Sequence, residues 1–446
     1  MKKRALKAAL FVLIFCILFS IANVFVVRVE PYGHKIITEF YDQPQNSLDG
    51  VYIGASTGFI YWNSLFAWNK YGICVYPYSC NVNPFYSTEY IIKEARKTQP
   101  NATFIVNLNS LSDGELDASH MYNILNSMPP SRNKLELIDH LCDVSGREGT
   151  ERIEFYLPFL QFHNRWAQFF TDNKIVVRPN GYKGASDYPD YLYNSIDVSE
   201  NYTEPALLDK LSENLTYSTD KLLNYCKEEN VKVLFVDIPQ AKDDEYEVNR
   251  IETLASYISS KGFSVLNLNG VADEKFNLDL TKDYYDDSHV NIHGSLKYTY
   301  YLSEYLIENY GFEDKRSDET YAHWNTSYES YMKMASAHML DIELDYEHRD
   351  FTIDEPVLQV ENKNNSVEVT WNQIKNVDGY LIYRKNSESS SWNQIAEASA
   401  TADALTYTDT SPAEGEKFYY TVVPFVTRNG VNYYGDFNYL GVSTEP

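Results

Sequence analysis

The chain carries two hydrophobic rhythms, and the change from one to the other divides it. Up to about Gly311, short β-branched runs alternate with longer stretches of helical periodicity, the pattern of a parallel sheet wrapped in helices. The predicted strands are Gly50 to Gly54, Gly72 to Tyr78, Thr103 to Leu108, Val231 to Ile238 and Phe263 to Leu268. Helices are predicted from Pro84 to Lys97 with Asn83 as N-cap, from Pro205 to Glu229, and from about Asp244 to Lys261 with Gly262 as the stop. A last helix follows Ser295 as its N-cap, with Leu296, Tyr300, Ser303, Leu306 and Tyr310 on one side and Gly311 closing it.

More than 120 residues separate the third and fourth strands, far more than a crossover helix needs, so an insert is expected there. It contains the aromatic and basic run from Tyr156 to Trp166, followed by a glycine- and tyrosine-rich loop from Pro179 to Ser186. Two readings stand side by side. The segment is a lid that brings His163, Arg165 and Trp166 to a substrate, or a covering subdomain whose polar groups cap its own helices.

Residues 313–353 read as a polar helical connector without a clear core face. From residue 354 to 446 the rhythm becomes period two, in Ser366 to Trp371, Gly379 to Arg384, Leu405 to Asp409 and Lys417 to Phe425, with turn residues between. About 90 residues of such strands build a β-sandwich.

The N-terminus adds a compartment. Ala8 to Val27 is a 20-residue stretch without a charge, preceded by Lys2, Lys3, Arg4 and Lys7, and is long enough to cross a bilayer. Residues 1–7 would then be a cytoplasmic tail and residues 8–27 a single anchor, with the bulk of the chain extracellular. A cleaved signal peptide is the rival, since Ser20 and Ala22 offer a small-residue cleavage site. The uncleaved anchor is preferred because the apolar run continues through Val27.

Charge excludes one function class. The formal charge is −25, and because the first 28 residues hold five basic and no acidic groups, the remainder carries a formal −30. No basic stripe is available to displace counterions from phosphates, which argues against nucleic-acid binding. The 39 tyrosines furnish cores, and also flat hydroxyl-edged surfaces suited to sugar rings. Four cysteines outside the anchor, Cys74, Cys80, Cys142 and Cys226, lack metal-ligand spacing and read as buried thiols, with a Cys74–Cys80 bridge as the alternative.

The candidate chemistry sits at the two ends of the α/β unit. Val51 to Gly58 reads as a strand, a sharp turn and a helix start, which holds the Ser56 hydroxyl proud of a sheet edge beside free helix N–H groups. Far downstream, Asp286 and His289 stand three apart just before the last helix, so the carboxylate can orient the imidazole. In a doubly wound parallel sheet the carboxyl ends of the strands share one crevice, where residues this distant in sequence can meet. His289 and His293, four apart with Asp283, Asp286 and Asp287 nearby, also admit a metal reading; no metal or cofactor is expected, because the triad already accounts for these residues and no third histidine is near.

Ser56 just after the first strand and Asp286-x-x-His289 before the final helix resemble the SGNH, or GDSL-like, hydrolase superfamily, over about Leu48 to Gly311. The membrane-anchored envelope members are the nearest likeness, the proteins of teichoic-acid D-alanylation and alginate O-acetylation. The resemblance implies a flavodoxin-like α/β domain over residues 28–312 and a serine esterase or O-acyltransferase acting on a cell-envelope glycan. A membrane-embedded acyl donor protein is an implied partner. It further implies Ser56 as nucleophile, His289 as base and Asp286 as its orienting carboxylate, with oxyanion donors from the loops after strands two and three. The usual glycine and Gly-x-Asn-Asp blocks are absent in standard form. Asn83 and Asn109 stand nearest in place, with Asn81 and Asn107 beside them. A catalytically inert scaffold or adhesin that binds polysaccharide or a protein is the other expectation. The C-terminal region resembles an immunoglobulin-like fibronectin type III domain: Trp371 stands at the strand-B tryptophan, Tyr383 and Val422 at inward positions, and Phe418 where a corner tyrosine is usual, so that the corner bond is either missing or supplied by Tyr419 or Tyr420.

Overall fold

The computed structural model describes residues 2–27, 29–110, 116–165, 178–196, 206–239, 245–268, 278–344, 348–363, 365–387, 390–402, 404–412 and 417–444. Five parallel strands form the first sheet: β1 Gly50–Gly54, β2 Val75–Ser79, β3 Thr103–Asn107, β4 Val233–Asp237 and β5 Ser264–Asn267, in the order β2-β1-β3-β4-β5. All five residues of each of β1 to β4 are buried, as expected of parallel strands covered on both faces. From β1 the chain runs out to the edge strand β2 and then returns across β1 to β3. The strand order therefore reverses between β1 and β3, the position at which sheets of this kind bind ligands at their carboxyl ends.

The predicted strands stand within three residues of the observed ones. Some helices differ in detail. The expected helix after Asn83 is a 3-10 turn, Phe85–Ser87, followed by the helix Thr88–Ala95. Asn83 does not cap it; its amide donates to the Gly54 carbonyl at 3.2 Å and its oxygen accepts from Ser87 Oγ at 2.7 Å. The helix expected from Pro205 spans Glu213–Glu228, with Ser212 as N-cap, and Pro205 itself lies outside the described residues. The last helix of the α/β unit spans Ile292–Tyr310 and is capped by Asn291, not Ser295. The Asn291 side chain accepts from His293 N and Gly294 N, while Ser295 is buried in the first turn and donates to the Tyr61 carbonyl at 3.0 Å. Gly311, at φ +70°, ends it as expected.

Cys74 and Cys80 are buried and free. They flank the extended strand β2, and six residues of strand separate them by about 20 Å, which rules out the bridge.

The stretch read as a connector carries a helix, Ala322–Glu343, whose Trp324, Tyr331, Met332, Ala335, Met339 and Ile342 are buried in the same core as the parallel sheet. It has a core face after all. Asn63 links it to the segment that follows β1, donating to Tyr331 Oη at 3.0 Å and to Tyr191 Oη at 3.1 Å.

Beyond it lie two antiparallel sheets. One holds β6 Leu358–Lys363, β7 Ser366–Trp371 and β10 Thr406–Asp409; the other holds β8 Gly379–Lys385, β9 Asn393–Ser399, β11 Tyr419–Arg428, β12 Val431–Tyr434 and β13 Val442–Ser443. Between them Trp371, Tyr380, Ile382, Tyr420 and Val422 form a core, with the Trp371 and Tyr380 rings 5.5 Å apart. Tyr383 does not point into it. With Tyr380 and Ile382 inward, Leu381 and Tyr383 face outward and pack with Leu340 and Leu344 from the end of the long helix. The tyrosine bond expected near Phe418 is made by Tyr420, whose hydroxyl donates to Asp409 at 2.9 Å.

At the N-terminus, the helix Lys2–Val26 includes a window, Lys3–Ala22, apolar and long enough to span a membrane; a signal sequence would share those properties. Glu30 then caps the helix Pro31–Phe40, accepting from Tyr32 N and Gly33 N.

Candidate active site

Strand β1 ends at Gly54, and after Ala55 the chain turns straight into a short helix, Ser56–Ile60, with Ser56 as its first residue. Two glycines permit this. A Cβ on Gly58 would stand 2.4 Å from Ser79 Oγ, and one on Gly54 would stand 2.9 Å from the Gly58 backbone. Neither glycine has a positive φ, so their role is close approach of the helix to β1 and β2 rather than an unusual backbone. The helix stops early. Asn63 caps a second helix, Ser64–Tyr71, so Phe59, Trp62 and Phe66, although at helical spacing in the sequence, belong to two helices and the turn between them. Ala55 supplies no side-chain cap, which leaves the helix N-terminal N–H groups beside Ser56 without one.

Asp286 and His289 occupy a tight loop closed by a bridge between Tyr284 and Val290 and by a Tyr285 N–H bond to the His289 carbonyl at 3.0 Å. Asp286 Oδ1 accepts from the Ser288 and His289 backbone N–H groups, each at 2.8 Å. Tyr61 Oη reaches across to the Pro239 carbonyl at 2.7 Å and the Ser288 carbonyl at 3.2 Å, tying this loop to the end of β4.

The structure brings these distant residues together. Ser56 Oγ lies 2.8 Å from His289 Nε2, and His289 Nδ1 lies 2.9 Å from both Asp286 oxygens. A carboxylate at Nδ1 makes that nitrogen the donor, so Nε2 is left as the acceptor for the Ser56 hydroxyl. Burial pushes the Asp286 carboxyl up, but the imidazole and the two backbone N–H groups outweigh it and hold the group below its ordinary value. The carboxylate thus stays charged beside the imidazole.

Sequence reasoning missed the aromatic backing. The Tyr285 ring stacks on His289, with centroids 5.6 Å apart and planes within 8°. Tyr188 stacks on Tyr285 at 5.9 Å, and Tyr32 meets Tyr188 edge-on at 5.0 Å. Tyr285 precedes Asp286 directly, which is the only signal the sequence offered.

The expected oxyanion residues have other bonds. Asn83 stands at the end of β1 through its bond to Gly54. Asn109 bridges to β4: its oxygen accepts from Ile238 N at 2.9 Å and its amide donates to the Ile238 carbonyl at 3.4 Å. Asn107, at the end of β3, donates instead to Thr57 Oγ1 at 3.1 Å, beside Ser56.

Of the substrate-binding residues expected in the insert, His163 and Arg165 are described. His163 is exposed and its Nδ1 pairs with the Leu160 carbonyl at 2.6 Å, while Arg165 is half-buried on the same turn and Trp166 lies outside the described residues. The glycine loop is no lid. Lys183 N donates to Glu39 at 2.9 Å, Ser64 Oγ donates to the Lys183 carbonyl at 2.6 Å, and Gly184 presses on Pro77, so this loop is wedged against β2. His293 turns from His289 to the Met339 carbonyl at 3.3 Å, so the two histidines serve different partners.

No family model matches the chain, and no curated protein matches it. Among solved structures, an Fn3-like protein from Clostridium thermocellum is similar at 24% identity over 21% of this chain and 92% of its own, with a TM-score of 0.17. The pectate lyase Pel3 from Pectobacterium carotovorum is similar at 23% identity over 21% of this chain and 27% of its own, with a TM-score of 0.18. A structure described as FN3tt mut shares 26% identity over 21% of this chain and 91% of its own, with a TM-score of 0.15. These likenesses span about a fifth of the chain and bear on nothing beyond it.

Proposed function

We propose that this chain is a membrane-anchored, extracytoplasmic serine esterase or O-acyltransferase of the SGNH type, with a fibronectin type III-like domain at its C-terminus, acting on acyl esters of a cell-envelope glycan. The observation that carries the reading is the continuous Ser56–His289–Asp286 hydrogen-bonded line at the carboxyl end of β1. In this mechanism His289 Nε2 takes the Ser56 proton as Oγ attacks the acyl carbonyl, and Asp286 stabilises the imidazolium that forms. The Ser56 backbone N–H, at an uncapped helix start, faces the developing oxyanion. Collapse expels the glycan or donor oxygen, which takes the proton back from His289, and leaves the acyl group on Ser56. Water then gives hydrolysis, whereas a sugar hydroxyl gives transfer.

A second reading, an inert envelope scaffold that binds polysaccharide, is favoured by one observation: the amides of Asn83 and Asn109 are already engaged with backbone groups. Acyl release from, or transfer to, O-acylated envelope glycan separates the two. The esterase reading expects turnover by the full chain and none by Ser56→Ala; equal rates for both would leave the scaffold.

A further inference from the structure

A cavity of about 480 Å³ lies against the loop that follows β2, the strand paired with β1, and the chemistry at Ser56 makes no use of it. That volume is in the range of small-ligand sites. Asn81, two residues beyond β2, lines the cavity, and three other segments meet it there. Tyr122 and Phe162, edge-on at 5.0 Å, supply aromatic surface. The amides around them are oriented by the protein: Asn123 Nδ2 donates to the Asn81 carbonyl at 2.8 Å, and Asn81 Nδ2 donates to Glu30 Oε1 at 3.1 Å. Gln161 is exposed, and its amide donates no hydrogen bond among the described residues. Two lining side chains, Glu30 and Asp117, are carboxylates, and no described residue of the lining is Lys, Arg or His. The basic groups whose charges reach Asp117, His120 and Arg147, are outside the lining, and Arg147 donates to the Leu116 carbonyl at 2.8 Å.

A row of rings joins this cavity to His289. Glu30 accepts from the N–H groups of Tyr32 and Gly33, and Pro31, also in the lining, directly precedes Tyr32. From Tyr32 the row runs through Tyr188 and Tyr285 to His289, in steps of 5.0, 5.9 and 5.6 Å. All three tyrosines are partly exposed. A sugar ring has apolar C–H faces and an edge of hydroxyls. The faces pack on aromatic rings, and the hydroxyls bond to amides and carboxylates. The same carboxylates repel an acidic sugar, because like charges brought together suppress the wrong partner.

We propose that this cavity is a sugar subsite: it holds an uncharged unit of the acceptor glycan, the chain of which continues along Tyr32, Tyr188 and Tyr285 towards Ser56, and it turns away polyanionic glycans. The glycan is taken from the function proposed above, and the cavity adds its class.

Binding is measured without turnover, by isothermal titration of the full chain carrying Ser56→Ala in lipid nanodiscs, with the tetramers of N-acetylglucosamine, glucose and galacturonic acid. At least one neutral tetramer should bind, about tenfold or more tighter than tetragalacturonate. Gln161→Ala, at an exposed position the fold does not need, should weaken that binding about fivefold. Asp117→Asn keeps a residue that caps helices and should narrow the gap by tightening tetragalacturonate. Binding of no neutral tetramer, an equal or tighter hold on tetragalacturonate, neutral binding unmoved by Gln161→Ala, or a gap unmoved by Asp117→Asn would overturn the subsite. The two readings fail separately. Ester turnover by the native chain without sugar binding removes the subsite alone, whereas sugar bound here without any turnover leaves the subsite to the inert scaffold.

Discussion

Among the described residues the α/β unit contains two hydrogen-bonded serine–histidine pairs, and they differ in everything except the bond itself. Ser56 meets His289 at 2.8 Å, and Ser218 meets His140 at 3.2 Å. Ser218 and His140 project from two packed helices, Glu213–Glu228 and Arg132–Val144, and both are buried. Tyr90 and Tyr217 rings crowd His140 at 5.4 and 6.2 Å, and among the described residues no carboxylate forms an ion pair with it. Burial lowers its pKa to about 4. His289 has Asp286 on one nitrogen and Ser56 on the other, at the open end of a sheet. The contrast teaches that a hydroxyl on an imidazole is common packing chemistry. A site requires the third group, which stabilises the charged imidazole; a cavity alone does not make one, since His140 itself lines a cavity with Tyr90, Tyr217 and Lys221.

The sharpest way to break this contrast is to remove each serine in turn. Ser56→Ala and His289→Ala should each lower ester turnover on the order of 10⁶-fold, whereas Ser218→Ala should leave it within about twofold. Comparable losses from both serines would erase the distinction. Asp286→Asn tests the third group, and should lower kcat about 10⁴-fold with little change in melting temperature.

His140 offers the opposite sign of evidence, in stability rather than rate. Its folded pKa lies below the ordinary 6.5, so it is neutral in both states above that pH and costs nothing there. As pH falls from 6.5 towards 4 the unfolded chain takes up a proton that the folded one refuses, and stability drops by about 3 kcal/mol, levelling off below pH 4. Urea titrations at pH 7 and pH 4.5 should show this loss, and His140→Phe should reduce it. The smallest effect expected is from Tyr285→Ala. Losing the ring stacked on His289 should lower kcat about fivefold, near 1 kcal/mol, with KM unchanged.

Both halves of the hydrogen-bonded Ser56–His289–Asp286 line were legible because each is local: a serine where a strand meets small residues, and Asp286 three before His289 in a short turn. The five strands were legible for a similar reason, being buried runs bounded by turns. The asparagines were not. Their partners are backbone carbonyls of other strands, at Gly54 and Ile238, and no local pattern encodes which carbonyl an amide will find. Tyr383 was placed on the wrong face because β8 is buried on both sides, inward by Trp371 and Val422 and outward by Leu340 and Phe437, so its residues do not alternate in polarity. The core face of Ala322–Glu343 was hidden because tyrosine, serine and methionine spread its apolar positions among polar ones.

The most direct test of an activated Ser56 is to treat the full chain with a fluorophosphonate and map the adduct by peptide mass spectrometry. The triad predicts one adduct, on Ser56, absent from His289→Ala and unaffected by Ser218→Ala. A folded chain that takes no adduct, or takes it on another serine, would contradict the account.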